Sequence, residues 1–105
     1  MEKITVYTND NLKENLKILQ ENGYKYIVKC CDKFLSGWGA AENRKHIHLI
    51  ACKDIKEREG VLNDVKNDKY MSYVNWCGIN NYENIKSWTR GKSWVLRNDW
   101  TRWEN

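Results

Sequence analysis

The chain has 105 residues, of which 41% are hydrophobic and 30% charged, with a formal net charge of +4. That length suits one domain spanning residues 1–105, which buries roughly two thirds of its unfolded surface on folding. Six Trp, six Tyr and eight Ile exclude a disordered polyelectrolyte, and the lack of an apolar run near 18 residues excludes a membrane-spanning helix.

The start, Met1-Glu2-Lys3-Ile4-Thr5, lacks the basic, apolar and small-residue regions of a signal peptide. Lysine outnumbers arginine 13 to 5, asparagine occurs 13 times and proline is absent, a bias of AT-rich coding sequence. The expected location is therefore the cytoplasm of a bacterial host cell, with no membrane partner. Cys30, Cys31, Cys52 and Cys77 are accordingly expected as reduced thiols.

Ile4 to Thr8 is β-branched and predicts a first strand. Leu12, Leu16 and Leu19 mark one face of a helix from Asn11 to Asn22, with Gly23 as its left-handed stop. Tyr24 to Cys31 predicts a strand, Asp32-Lys33 a turn, and Phe34 to Trp38 a returning strand that ends at the corner Gly37-Trp38-Gly39. Lys45 to Lys53 predicts another strand. Asp54 opens a helix to Asn67 with Ile55, Val61, Leu62 and Val65 as its buried stripe. Met71 to Cys77 predicts a strand, Asn81 to Arg90 a third helix closed by Gly91, and Ser93 to Arg97 a last strand. Asn11 with Glu14, Asp54 with Glu57, and Asn80 with Glu83 have the spacing of capping boxes. The order β-α-β-β-β-α-β-α-β implies an α+β fold, with a mixed or mainly antiparallel sheet and helices mostly on one face.

The charge is localised. Residues 86–103 hold five basic groups (Lys86, Arg90, Lys92, Arg97, Arg102) and one acid (Asp99), a balance of +4, so the remaining chain sums to zero. The same segment holds Trp88, Trp94, Trp100 and Trp103. Aromatic rings beside cations suit single-stranded nucleic acid, because bases stack on the rings while Lys and Arg neutralise phosphates. Trp and Arg also dominate protein interface hot spots. Trp88 shares a helical face with Tyr82 and Ile85, and Trp94 alternates with Leu96, which assigns both to the core. The expected working surface is Arg97, Trp100, Arg102 and Trp103, joined by Arg90 and Lys92 and by Trp38, Arg44 and Lys45 near the glycine corner.

No reaction is written in the chain. His46, His48 and Cys52 share strand parity, but without the short knuckles of a structural zinc site no metal and no cofactor is expected. Ser36-Gly37-Trp38-Gly39 lacks the Gly-Lys-Ser/Thr order of a phosphate loop, and Glu57 and Glu59 fall on different sides of their helix. Tyr24-Lys25-Tyr26-Ile27-Val28-Lys29-Cys30, followed by Asp32 and Leu35-Ser36-Gly37, resembles the opening hairpin of GIY-YIG nucleases, with Arg44 loosely at the family's arginine position. That resemblance covers about a fifth of the chain and implies phosphodiester cleavage by tyrosine, arginine and a metal-bound glutamate. Leu35 replaces the second tyrosine, Arg44 precedes a strand instead of lying in a helix, and no later glutamate is marked, so the departures point to a degenerate relative at most. The leading expectation is a non-catalytic binding protein of the kind carried by phage against host defence, anti-CRISPR proteins included. It would engage a nucleic acid or a nucleoprotein such as a CRISPR effector complex. The alternative is a protein–protein adaptor or homo-oligomer built on exposed tryptophans.

Overall fold

In the computed structural model the described residues are 5–6, 11–36, 39–68, 71–90 and 93–98; for 5–6, 32–36, 39–46, 72–73 and 93 the backbone alone is described. The elements follow in the order β1 (Thr5–Val6), α1 (Leu12–Glu21), β2 (Tyr26–Ser36), β3 (Gly39–Cys52), α2 (Ile55–Lys66), β4 (Met71–Gly78), α3 (Tyr82–Thr89) and β5 (Ser93–Arg97). The strands form one mixed sheet in the order β1-β5-β3-β2-β4, with β3 and β5 parallel and every other pair antiparallel. The fold is α+β.

The element order differs from the sequence expectation by one strand. Asp32-Lys33 does not turn the chain: β2 continues to Ser36, which pairs with Gly39, so the connection is Gly37-Trp38, outside the described residues. Asp-Lys offers neither residue of a tight hairpin with the freedom to adopt positive φ, whereas the corner has glycine. The pairing is instead irregular at this place. Cys31 faces Ile47 and Asp32 faces Asn43, so Arg44, Lys45 and His46 form an excess on β3. Such a bulge absorbs extra residues without ending the strand.

Helices cover both faces of the sheet, two on one side and one on the other. Leu12, Leu16 and Leu19 of α1 and Ile85 and Trp88 of α3 pack with Ile27, Leu49, Trp94 and Leu96. Val61, Leu62 and Val65 of α2 pack with Val28, Cys30, Ile50 and Cys52. Successive strand residues point to opposite faces, so Ile27 and Val28 serve separate clusters. Each such side chain, taken fully from water, contributes about 1.5–3 kcal/mol. Trp88 and Trp94 belong to the core, as their periodicity implies.

The helix ends follow local chemistry. Gly23 has φ +91°, a conformation that glycine adopts without a Cβ clash, and closes α1. At α2 the Asp54 carboxylate accepts from the Glu57 amide at 2.8 Å. The two asparagine boxes form differently from expectation. Asn11 is itself left-handed and makes no side-chain cap, its carbonyl accepting instead from the Asn15 amide. At α3 the cap is Asn81, whose side chain accepts from the Asn84 amide, one residue beyond the Asn80–Glu83 pair. Ile55 is 56% exposed and not part of the α2 stripe, because the half-buried Arg58 takes the stripe's first inward position one turn later.

Cys52 lies under the start of α2, fully buried. Burial first, then the carboxylates Glu57 and Asp54, push its thiol from the ordinary 9.0 up to about 12. The folded chain thus holds this proton more tightly than the unfolded chain. The associated stability is fully present below about pH 9 and is lost as pH rises towards 12. Urea denaturation midpoints measured across that interval are expected to fall, and Cys52→Ala is expected to remove part of the decline.

Candidate functional site

The short α3 helix begins one turn after β4 leaves the sheet edge and lies on the same sheet face as α1. Between α1 and the start of α3 is a groove of about 570 Å³, lined by Lys13, Lys17 and Gln20 on one side and by Ile79, Asn80 and Tyr82 on the other. The Leu12–Leu16–Leu19 stripe turns α1 so that Lys13 and Lys17, four apart, stand beside the groove. Tyr82 packs its ring against the α1/α3 core while remaining half exposed. Two ammonium groups lie over that ring: Lys13 Nζ at 5.6 Å and Lys86 Nζ at 5.9 Å from its centroid. Glu14 is the one acid among the described lining residues, beside the two lysines, so these residues favour anions.

Tyr82 and Lys86 are four apart on α3, Arg90 caps its C-terminal end, and Lys86 and Arg90 are exposed. Lys86 is the first residue of the Trp/Arg-rich segment and joins it to the groove through the Tyr82 ring. Lys29 adds a further cation over the Trp88 ring at 5.7 Å.

A second cluster lies on the α2 face. The Arg58 guanidinium sits 3.9 Å from the Trp76 ring centroid and 4.8 Å from that of Tyr26. The two rings meet edge to face at 5.7 Å. Arg58 Nε is buried and makes no hydrogen bond among the described residues, so the aromatic faces compensate much of the cost of burying this cation. Glu59 pairs with its outer nitrogen at 3.5 Å. Trp76 is 41% exposed on β4, a sheet edge.

The nine residues expected at a contact surface separate. Arg90 is exposed at the end of α3. Arg44 and Lys45 lie in the β3 bulge, where the backbone alone is described; Arg44 is thus inside the strand, not before it as expected, because β3 begins at Gly39. Trp38, Lys92, Trp100, Arg102 and Trp103 lie outside the described residues. Arg97 is only 9% exposed. It sits on β5, an inner strand, alternating with Trp94 and Leu96 and therefore on the opposite sheet face, beside Ile50 in register. Asn98, also buried, donates to the Tyr24 hydroxyl at 3.2 Å and anchors the end of β5 to the turn after α1.

His48 is buried at 6% exposure, and no group of three or more His, Cys, Asp or Glu among the described residues could hold a metal. Among the same residues no helix is long and apolar enough to cross a membrane. Compared with known proteins, the chain matches no family model, no curated protein and no solved structure.

Sequence reasoning missed Lys13, Lys17, Tyr26, Arg58, Trp76 and Tyr82 as candidate contacts. Arg58 was legible in part, because it falls on the helical stripe of Val61, Leu62 and Val65. Burial also changes what Arg97 does. Arg97→Ala is expected to lower folding stability by roughly 1–3 kcal/mol in urea denaturation, whereas Arg90→Ala should leave stability within about 0.5 kcal/mol of the parent.

Proposed function

We propose that this protein is a non-catalytic binding protein that engages single-stranded nucleic acid, free or within a nucleoprotein, through the groove between α1 and α3 and the basic line that continues from it. One observation carries this reading: the Tyr82 ring, with Lys13 and Lys86 over it, forms a wall of a groove that also presents Lys17. A base stacks on an aromatic face, while long lysine side chains at such distances swing from the ring onto the flanking phosphates. The chain's net charge of +4 favours the same partner and excludes global mimicry of DNA by an acidic surface.

The segment 86–103 extends the proposed surface, since Lys86 and Arg90 belong to it and Lys92, Trp100, Arg102 and Trp103 have the same chemistry, while its Trp88, Trp94 and Arg97 are buried. A role as a phage-borne inhibitor of a host nucleoprotein, such as a CRISPR effector complex, rests on analogy with other small basic domains of AT-rich origin that lack catalytic motifs.

Titration of fluorescent single-stranded RNA and DNA at several salt concentrations tests the proposal. Affinity is expected to fall with salt by a log–log slope of about −0.7 per phosphate neutralised. Tyr82→Ala should cost about 1–3 kcal/mol of binding, and Lys13→Gln with Lys86→Gln should flatten the slope by about 1.4. Absence of binding to either nucleic acid at low salt, or affinity indifferent to all three substitutions, would overturn it.

A further inference from the structure

We infer that the edge of β4, unpaired among the described residues, is a self-association surface, on which a second copy of this chain pairs its own β4 antiparallel and joins two five-stranded sheets into one. The edge is unusual in what it lacks. Met71-Ser72-Tyr73-Val74-Asn75-Trp76-Cys77-Gly78 is eight residues long and contains no charged residue, in a chain that is 30% charged. Natural sheets guard an exposed edge with lysine, proline, a bulge or brevity; the pairing of β4 with β2 shifts register between Lys29 and Cys31, and the stretch from Asn75 to Gly78 beyond that shift is regular and uncharged.

The backbone of β4 from Asn75 to Gly78 is set for pairing. The Ile79 amide donates to the Lys25 carbonyl at 2.9 Å, and the register from there is unbroken through Ile27↔Cys77 to Lys29↔Asn75. Antiparallel pairs alternate between those that exchange hydrogen bonds and those that face outward. The groups of Cys77 and Asn75 therefore point to β2, and those of Trp76 point away from it. In agreement, the Trp76 amide donates to the side-chain oxygen of its neighbour Asn75 at 2.8 Å. That oxygen is a local stand-in which a strand carbonyl can replace.

Self-complementarity selects the occupant. Antiparallel pairing of a charged strand with itself sets like charges opposite or diagonal to one another, at a cost in stability, and β4 has none to oppose. A two-fold axis at Trp76 places its ring and the partner's Trp76 on the same sheet face, covering the exposed indole. Arg58 does not oppose this approach, because its charge is balanced within each copy by Glu59 and spread over the Trp76 and Tyr26 rings. The groove at Tyr82 is on the other sheet face, so this surface does not depend on the nucleic-acid reading.

Sedimentation velocity of the purified chain from about 1 to 300 µM, without nucleic acid, tests the inference together with amide hydrogen exchange. The expected result is a monomer–dimer equilibrium in which the Trp76 amide is increasingly protected as concentration rises, while the Ile79 amide is unchanged. Trp76→Lys should weaken the dimer roughly tenfold or more with an unchanged far-ultraviolet circular dichroism spectrum. Should that variant unfold, Asn75→Lys sets like charges across the same edge without removing the Arg58 stack. A monomer at every concentration overturns the inference, as does a dimer that survives a folded edge variant. Protection of the Trp76 amide in a monomer would place another part of the same chain on the edge and overturns it equally.

Discussion

Strands β2 and β3 must be covered on both faces at once, and the arrangement of the rest of the chain follows from that demand. Ile27, Val28, Cys30 and Cys31 on β2, and Ile47, Leu49, Ile50, Ala51 and Cys52 on β3, are all at most 1% exposed. A strand apolar on alternate residues needs a single covering layer, whereas these runs need two. Helices α1 and α3 supply one layer and α2 the other. Because α2 follows β3 directly and caps on Asp54, its position is fixed within a few residues of the hairpin's end.

That constraint also separates the two surfaces. The α1/α3 layer leaves a groove beside Tyr82 because α3 is short, two turns, and begins beyond the end of β4. The α2 layer ends its apolar stripe on Arg58, and the stack with Tyr26 and Trp76 replaces an aliphatic contact there by a cation lodged between rings. Such a stack tolerates partial exposure in a way that a Leu contact does not, since the cation keeps some hydration while the rings keep their area. The outcome is a basic, aromatic-walled groove on one face and an uncharged edge with an exposed indole beside the other. Association along β4 would put two grooves on one assembly, and two linked sites on one nucleic acid raise the effective concentration for the second contact.

The burial of Arg97 sets one member of the expected contact set inside the fold. Inner strands are covered whatever their chemistry, so a charge there serves the fold. Arg90, by contrast, stands at the end of α3 on the exposed side. The basic segment is thus divided by β5, with its first part leading from the groove and Arg97 inside.

Patterns with a local cause were legible from residues alone. The three helices, the strand nature of β3, β4 and β5, the Gly23 stop, the Asp54 cap and the core roles of Trp88 and Trp94 all arise from periodicity or from a side chain bonding its own neighbours. The even spacing of apolar residues could not distinguish a turn at Asp32-Lys33 from a bulge, because that choice depends on where β3 pairs three residues out of step. Tertiary structure alone decided that β5 is an inner strand and β4 an edge, which buries Arg97 and exposes Trp76. Strand order is a contest among long-range pairings, and no residue carries its neighbour's identity. For the same reason the groove joins Lys13 to Tyr82 and Lys86 across some seventy positions of sequence.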